Sequence, residues 1–292
     1  MKQKKRNGTN LLLALVFLAG LSLLLYPTLS NYLNNHLQSG VVSGYQEYVQ
    51  NTNTEEHLRM IQQARQYNHD LFLRSPVFSL SEEHKQLYNS LLNLSGNGMM
   101  GYLEIPCIDV TLPVYHGVEE QVLQQAVGHI EWTSLPVGGE NTHCVVSGHR
   151  GLPTADLLTH IDRMRLGDRF YLHVLGQTLE YQVDAINVVL PSDTSLLNLE
   201  AGRDYVTLLT CTPYGINSHR LLVRGRRIID GKPTGTVILT DEIEPVSLVY
   251  VLPVALVMLV VLSLAGMGIT SLAKKNKSHK EKPSEQDEAT TS

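Results

Sequence analysis

The sequence predicts a mostly β domain, a closed or nearly closed barrel with short helices, preceded by a helical region and flanked by two transmembrane helices. Three observations carry that prediction. Two uncharged apolar runs lie near the ends, each with a basic flank; the stretch after the first run repeats its apolar residues at helical spacing; and from Gly101 onward short β-branched runs alternate with turn formers. The 292 residues suit one good-sized domain better than two small ones. The net charge of −5, with no basic cluster outside the membrane flanks, excludes nucleic acid as an expected partner.

Residues 1–35 are read as a cytoplasmic basic start followed by the first membrane helix. Leu11 to Leu29 (LLLALVFLAGLSLLLYPTL) is uncharged and follows Lys2, Lys4, Lys5 and Arg6. A bilayer core takes about 20 apolar residues in a helix, and this run is just sufficient. Positive residues beside a span resist translocation, so the start stays inside. A cleaved signal peptide is the alternative, since the basic start and apolar centre fit one, but no clear A-x-A-like site follows. Near the other end, residues 246–273 form a second uncharged run followed by Lys274, Lys275 and Lys277. Two crossings with both basic flanks inside predict a two-pass protein of the cell membrane, with the domain between them extracytoplasmic.

Residues 36–98 read as helical, and the candidate lid described below falls within them. Glu55 to Leu73 places Leu58, Ile61, Ala64 and Leu71 near helical period, and Ser81-Glu82-Glu83 opens a second short helix ending near Leu94. The barrel is assigned to residues 99–230. Its candidate strands are Tyr102 to Ile105, Val110 to Tyr115, His143 to Ser147, Arg169 to Val174, Thr178 to Val189, Tyr205 to Thr210 and Arg220 to Ile229. Short helices are expected near Glu120 to Val127 and Thr154 to Met164. A linker at 231–245, the span at 246–273 and a solvated cytoplasmic tail at 274–292 complete the chain.

The cysteines pose the chemical question. Cys107, Cys144 and Cys211 are an odd number with no C-x-x-C spacing, so an exported domain carrying them keeps at least one thiol free or paired outside the chain. His143, Cys144 and His149 match no common zinc spacing, and no metal is expected. Cys211 ends the run Thr207-Leu208-Leu209-Thr210-Cys211, and Arg220 follows nine residues later. A symmetric hairpin through the Pro213–Ser218 loop sets the two opposite each other on one face, with Cβ atoms roughly 5 Å apart. A thiol titrates ordinarily near pH 8.5, so a neighbouring permanent cation favours the nucleophilic thiolate; the same cation can steady an oxyanion but cannot act as a base. The proton carrier is then a histidine, and His149 stands out among twelve because it leaves an apolar strand between Gly148 and Gly151. His219 adjoins Arg220 and points to the opposite face of its strand. Arg224 shares the parity of Arg220 and is a further groove candidate. Cys144 reads as a buried core residue, and the other histidines as structural or surface groups.

Thr207 to Cys211 (TLLTC) resembles the TLxTC signature of sortases, membrane-anchored cysteine transpeptidases of Gram-positive bacteria. The runs SGHRGLPTADLLT (Ser147 to Thr159) and TCTPYGINSHRLLVRGRR (Thr210 to Arg227), with GYLEIP and LPVYHG upstream and the second span downstream, resemble the pilus-building class C branch. The resemblance implies a closed sortase-type β-barrel of about eight strands and a catalytic set of His149, Cys211 and Arg220, with no metal or organic cofactor. It implies cleavage of the Thr–Gly bond of an LPxTG-type sorting signal through a thioester on Cys211. The acyl group then passes to a lysine amine of a pilin subunit, the expected partner. Ser147, Leu209 and Thr210 are the candidate substrate-binding positions. Other readings are a housekeeping sortase that uses a cell-wall amine, a hydrolytic cysteine peptidase, and a non-catalytic, membrane-tethered pilus assembly scaffold. Class C members carry an Asp-Pro-aromatic lid; here Ser75, Pro76 and Phe78 occupy the comparable stretch, with no Asp before the Pro. A loose or absent lid is therefore expected.

Overall fold

The computed structural model describes residues 2–74 and 79–229. The lid candidates Ser75, Pro76 and Phe78, the linker, the second apolar run and the tail lie outside the described residues. Four α-helices precede or punctuate the strands: α1 (Lys2–Asn51), α2 (Thr54–Arg74), α3 (Glu82–Ser90) and α4 (Glu120–Leu123). The strands are β1 (Met99–Ile105), β2 (Val110–His116), β3 (Val127–His129), β4 (Thr142–Ser147), β5 (Arg169–Val174), β6 (Gln177–Val189), β7 (Asp204–Thr212) and β8 (His219–Arg227).

These eight strands close into a barrel in the order β1-β2-β3-β4-β7-β8-β6-β5. Two of the neighbouring pairs, β2–β3 and β4–β7, are parallel. Parallel strands need a crossover rather than a tight turn. The first is supplied by α4, and the second by the long excursion through β5 and β6. Period-two alternation sorts each strand into an inner and an outer row. Val206 and Leu208 of β7, Val146 of β4 and Val223 of β8 join Leu103, Phe170 and Tyr181 in the buried interior. The other row of the same strands packs outside, where Val145, Leu197 and Leu222 form a small cluster bordered by Val189 and Leu209.

The helical region packs on the barrel rather than standing apart from it. Ile61, Ala64, Tyr67 and Leu71 of α2 and Tyr88 of α3 bury against Met100, Leu135 and Val174. Asn68 locks this contact by donating to the Leu135 carbonyl at 3.0 Å and accepting from the Leu135 N–H at 2.7 Å. Ser81 caps α3, its hydroxyl accepting from the His84 N–H, as the Ser-Glu-Glu start predicts.

Two local expectations fail. The helix expected over 154–164 is a looped segment with one 3-10 turn at Ile161–Arg163. Leu157 adopts φ +41°, which no helix accommodates, and the Asp156 N–H is taken by Asn31 of α1 at 2.8 Å. The helix near 120–127 stops at Leu123, because Val127 to His129 is a strand that pairs β2 on one side and β4 on the other. Helix α1 itself continues past the apolar run to Asn51. Its lower part lies on the barrel through Gln38, which donates to the Gln125 carbonyl at 2.8 Å, and Tyr45, which donates to that of Met100 at 3.0 Å.

The α3–β3 contact carries a pH dependence. His129 is fully buried, its Nε2 2.8 Å from the Ser134 carbonyl and its Nδ1 3.0 Å from the Tyr88 hydroxyl. Burial pushes its pKa down to about 3, against the opposing hydrogen bond to Ser134. The unfolded chain binds that proton near pH 6.5. Stability is therefore complete above pH 6.5 and falls as the pH drops toward 3, by about 1.4 kcal/mol per pH unit from this group at the steepest. His143 and His116 are lowered by burial in the same sense. Urea midpoints from pH 7 to pH 4 should fall steeply, and His129→Gln should flatten that dependence.

Candidate active site

The β7–β8 hairpin sets Cys211 opposite Arg220, as the symmetric loop requires. Both share the outer row with Leu209 and Leu222, and both are half-buried. Arg220 is held at the loop mouth, its Nη1 donating to the carbonyls of Asn217 at 3.3 Å and His219 at 3.2 Å. Among the described residues it forms no ion pair with a carboxylate. Its charge is therefore free to meet an anion that arrives or develops beside the thiol.

His149 reaches this place through the parallel pairing of β4 and β7, in which Ser147 lies opposite Leu209. Three bonds extend that pairing past the strand end. The Gly148 N–H donates to the Leu209 carbonyl at 3.1 Å, and the Thr210 hydroxyl donates to the Gly148 carbonyl at 2.8 Å. Arg150 Nη1 then donates to the Thr212 hydroxyl at 3.2 Å. The neighbours of His149 on both sides are thus tied to the neighbours of Cys211 on both sides. Gly148 is needed for this approach, since a Cβ there would sit 2.9 Å from Val127 and 3.0 Å from Leu158. Gly151 turns the chain away at φ +80°, with the Tyr214 ring against it.

The imidazole is lightly held. Its Nε2 lies 3.6 Å from the Glu120 carboxylate of α4, beyond hydrogen-bond range, and has no hydrogen-bond partner among the described residues. A ring nitrogen without a competing partner can exchange its proton with a reacting group.

Arg150 is the site residue that sequence reasoning missed. Its side chain is only 9% exposed, with Nη2 donating to Asp162 at 2.6 Å while Nη1 holds Thr212. The signal was its adjacency to His149, which reads in sequence only as a generic solvated arginine. Arg150→Met removes both anchors and leaves Asp162 half in water, so the fold should persist. Misplacement of the imidazole by about an ångström should cost on the order of 10²-fold in kcat/KM. Steady-state kinetics beside a melting curve checks it: a fall in rate without a fall in melting temperature is the expected pattern.

The remaining candidates divide. Ser147 and Leu209 lie on the same outer face as Cys211. Thr210 does not: it is 1% exposed, on the inner row with Leu208, and its hydroxyl is spent on Gly148. It therefore ties strands together rather than facing the groove. Arg224 is engaged elsewhere, paired with both carboxylate oxygens of Asp184 and stacked over the Tyr205 ring at 4.1 Å. His219 lies opposite Thr212, off the Cys211 face, beside the Ser218 hydroxyl. Cys144 is buried inside the barrel, which pushes its thiol pKa up, and Cys107 is exposed in the turn after β1. Among the described residues, no group of three or more His, Cys, Asp and Glu side chains is gathered as a metal site would need.

The pattern of a sortase domain matches residues 103–228. The sortase C of Streptococcus pneumoniae is 44% identical, with a TM-score of 0.59, over 68% of this chain and 100% of that one. The chain belongs to the sortase family. The sortase C of Clostridium perfringens, solved with the C-terminal cell wall sorting motif, is 43% identical with a TM-score of 0.58, over 65% of this chain and 99% of that one. Sortase D of Bacillus subtilis is 29% identical over 131 residues, 44% of this chain and 63% of the relative. The chain thus spans somewhat less than two thirds of the length of that relative. Within the sortase family match lie all three residues of the candidate catalytic set, His149, Cys211 and Arg220.

Proposed function

We propose that this sortase is a membrane-anchored cysteine transpeptidase that cleaves an LPxTG-type sorting signal and joins the acyl group to a pilin lysine amine. The observation that carries the proposal is the convergence of Cys211, Arg220 and the His149 loop at one barrel end. The sulfur of Cys211 attacks the threonine carbonyl carbon, and Arg220 steadies the oxyanion that forms. The C–N bond breaks as protonated His149 donates its proton to the leaving glycine amine. In the second half His149 takes a proton from the incoming amine, whose nitrogen attacks the thioester and releases the sulfur. No cofactor enters these steps.

The membrane anchor is assigned to α1, whose most apolar 18-residue stretch has a mean hydropathy of 2.2 and is not buried in the fold. The pilus assignment is supported by the class C neighbours, one of them described for pilin substrate specificity and another solved with a sorting motif. Co-expression with candidate pilins tests the function. Detergent-resistant ladders should form with the wild type and vanish with Cys211→Ala. Single-pilin attachment to peptidoglycan without ladders would favour the housekeeping reaction.

A further inference from the structure

The barrel has two ends, and every catalytic residue sits at one of them. His149 follows the end of β4, Cys211 lies at the end of β7, Arg220 at the start of β8, and Val189, opposite Arg220, ends β6. The other end holds the start of β1, the β5–β6 turn and the 138–142 loop before β4.

Helix α1 runs between these ends in a defined sense. Ser30 donates to the Thr154 carbonyl at 3.3 Å, and Asn31 bonds both the carboxylate and the N–H of Asp156, in the loop that follows His149. Gln38 is at Gln125, just ahead of β3. Tyr45 bonds Met100 and Leu175, at the far end. From Asn31 to Tyr45 is about 21 Å at 1.5 Å per residue, the reach from the loop after His149 to the start of β1. The contact at Asn31 lies only two residues, about 3 Å, beyond the apolar run that ends at Leu29. The same unbroken helix therefore enters the membrane beside the catalytic end.

We infer that the catalytic end of the barrel faces the bilayer and that its loop tips rest in the lipid headgroup region. The inference rests on α1 being the membrane anchor. The exposed side chains fit that placement. Tyr214 and Ile216, at the tip of the β7–β8 loop, are 60% and 71% exposed, and Leu190, just past β6, is 56% exposed. Such apolar groups, each with more than half of its surface in water, gain by entering an interface. Tyr26 and Tyr32 of α1, both exposed, bracket the outer end of the apolar run at the level where tyrosines favour the headgroups. The occupant of the apolar tips is the bilayer itself, because the anchor helix delivers them to it.

The test uses the full chain in phosphatidylcholine vesicles. In a Cys107→Ser, Cys211→Ala background, which leaves only buried Cys144, an environment-sensitive fluorophore is attached at Ile216→Cys or at Glu140→Cys on the opposite barrel end. Nitroxide-headgroup lipid should quench the label at 216 several-fold more than the label at 140. Equal quenching in chains that float with the vesicles would overturn the orientation while leaving the anchor intact. Failure to float would remove the anchor, and the orientation with it. A blue-shifted label at 216 that lipid nitroxide does not quench would assign the tips to a second protein copy and also overturn the proposal.

Discussion

Cys211→Ala is expected to abolish turnover of a sorting-signal peptide, a loss of about 10⁴-fold or more, with the melting temperature unchanged. In the proposed mechanism the sulfur is the atom that forms the covalent bond, and neither remaining thiol stands opposite Arg220. Cys144 is enclosed in the barrel interior, and Cys107 sits in the turn after β1, outside the β7–β8 register that sets a sulfur opposite Arg220. Cys211 is half-buried on the outer row, so deleting its sulfur opens no interior cavity of the kind that makes large-to-small core changes costly. Rate and stability should therefore separate cleanly in a fluorogenic cleavage assay run beside a thermal melt. Residual cleavage within tenfold of the wild type would assign the chemistry to another group.

Arg220→Lys should lower kcat by about 10²–10³-fold with a much smaller change in KM. The substitution preserves the charge, so a residue acting only as a distant cation would tolerate it. What it removes is the planar fork. Arg220 is aimed by its bonds to the carbonyls of Asn217 and His219, and the register holds it opposite Cys211. A lysine ammonium can satisfy the carbonyls or reach the oxyanion, but its single donor centre does not do both. A matching loss in KM with kcat preserved would recast Arg220 as a substrate-docking residue.

The site was legible in the sequence to the extent that it is built from local geometry. The hairpin register that sets Cys211 against Arg220 follows from loop length and symmetry, and the Ser81 cap from side-chain chemistry at the helix start. Glycines on either side of His149 marked a place where the chain turns sharply, and both Gly148 and Gly151 prove to be in close contact. What escaped was set by residues distant in the chain. The β3 strand is three residues long and exists because β2 and β4 flank it. The 154–164 stretch has helical composition, yet Asn31, more than a hundred residues earlier, claims the backbone of Asp156. Arg150 carries no local mark of burial; its partners at Asp162 and Thr212 come together only when β4 pairs with β7. The reach of α1 along the barrel was hidden for the same reason, since its partners at Asp156, Gln125 and Met100 lie far along the chain.

Intact-mass spectrometry of the purified chain mixed with a sorting-signal peptide tests the central claim most directly. A single adduct equal to the peptide's acyl portion, mapped to Cys211 and released by hydroxylamine, is the predicted result. A chain that binds the peptide yet acquires no such mass, or that carries it on Cys107 or Cys144, would contradict the account.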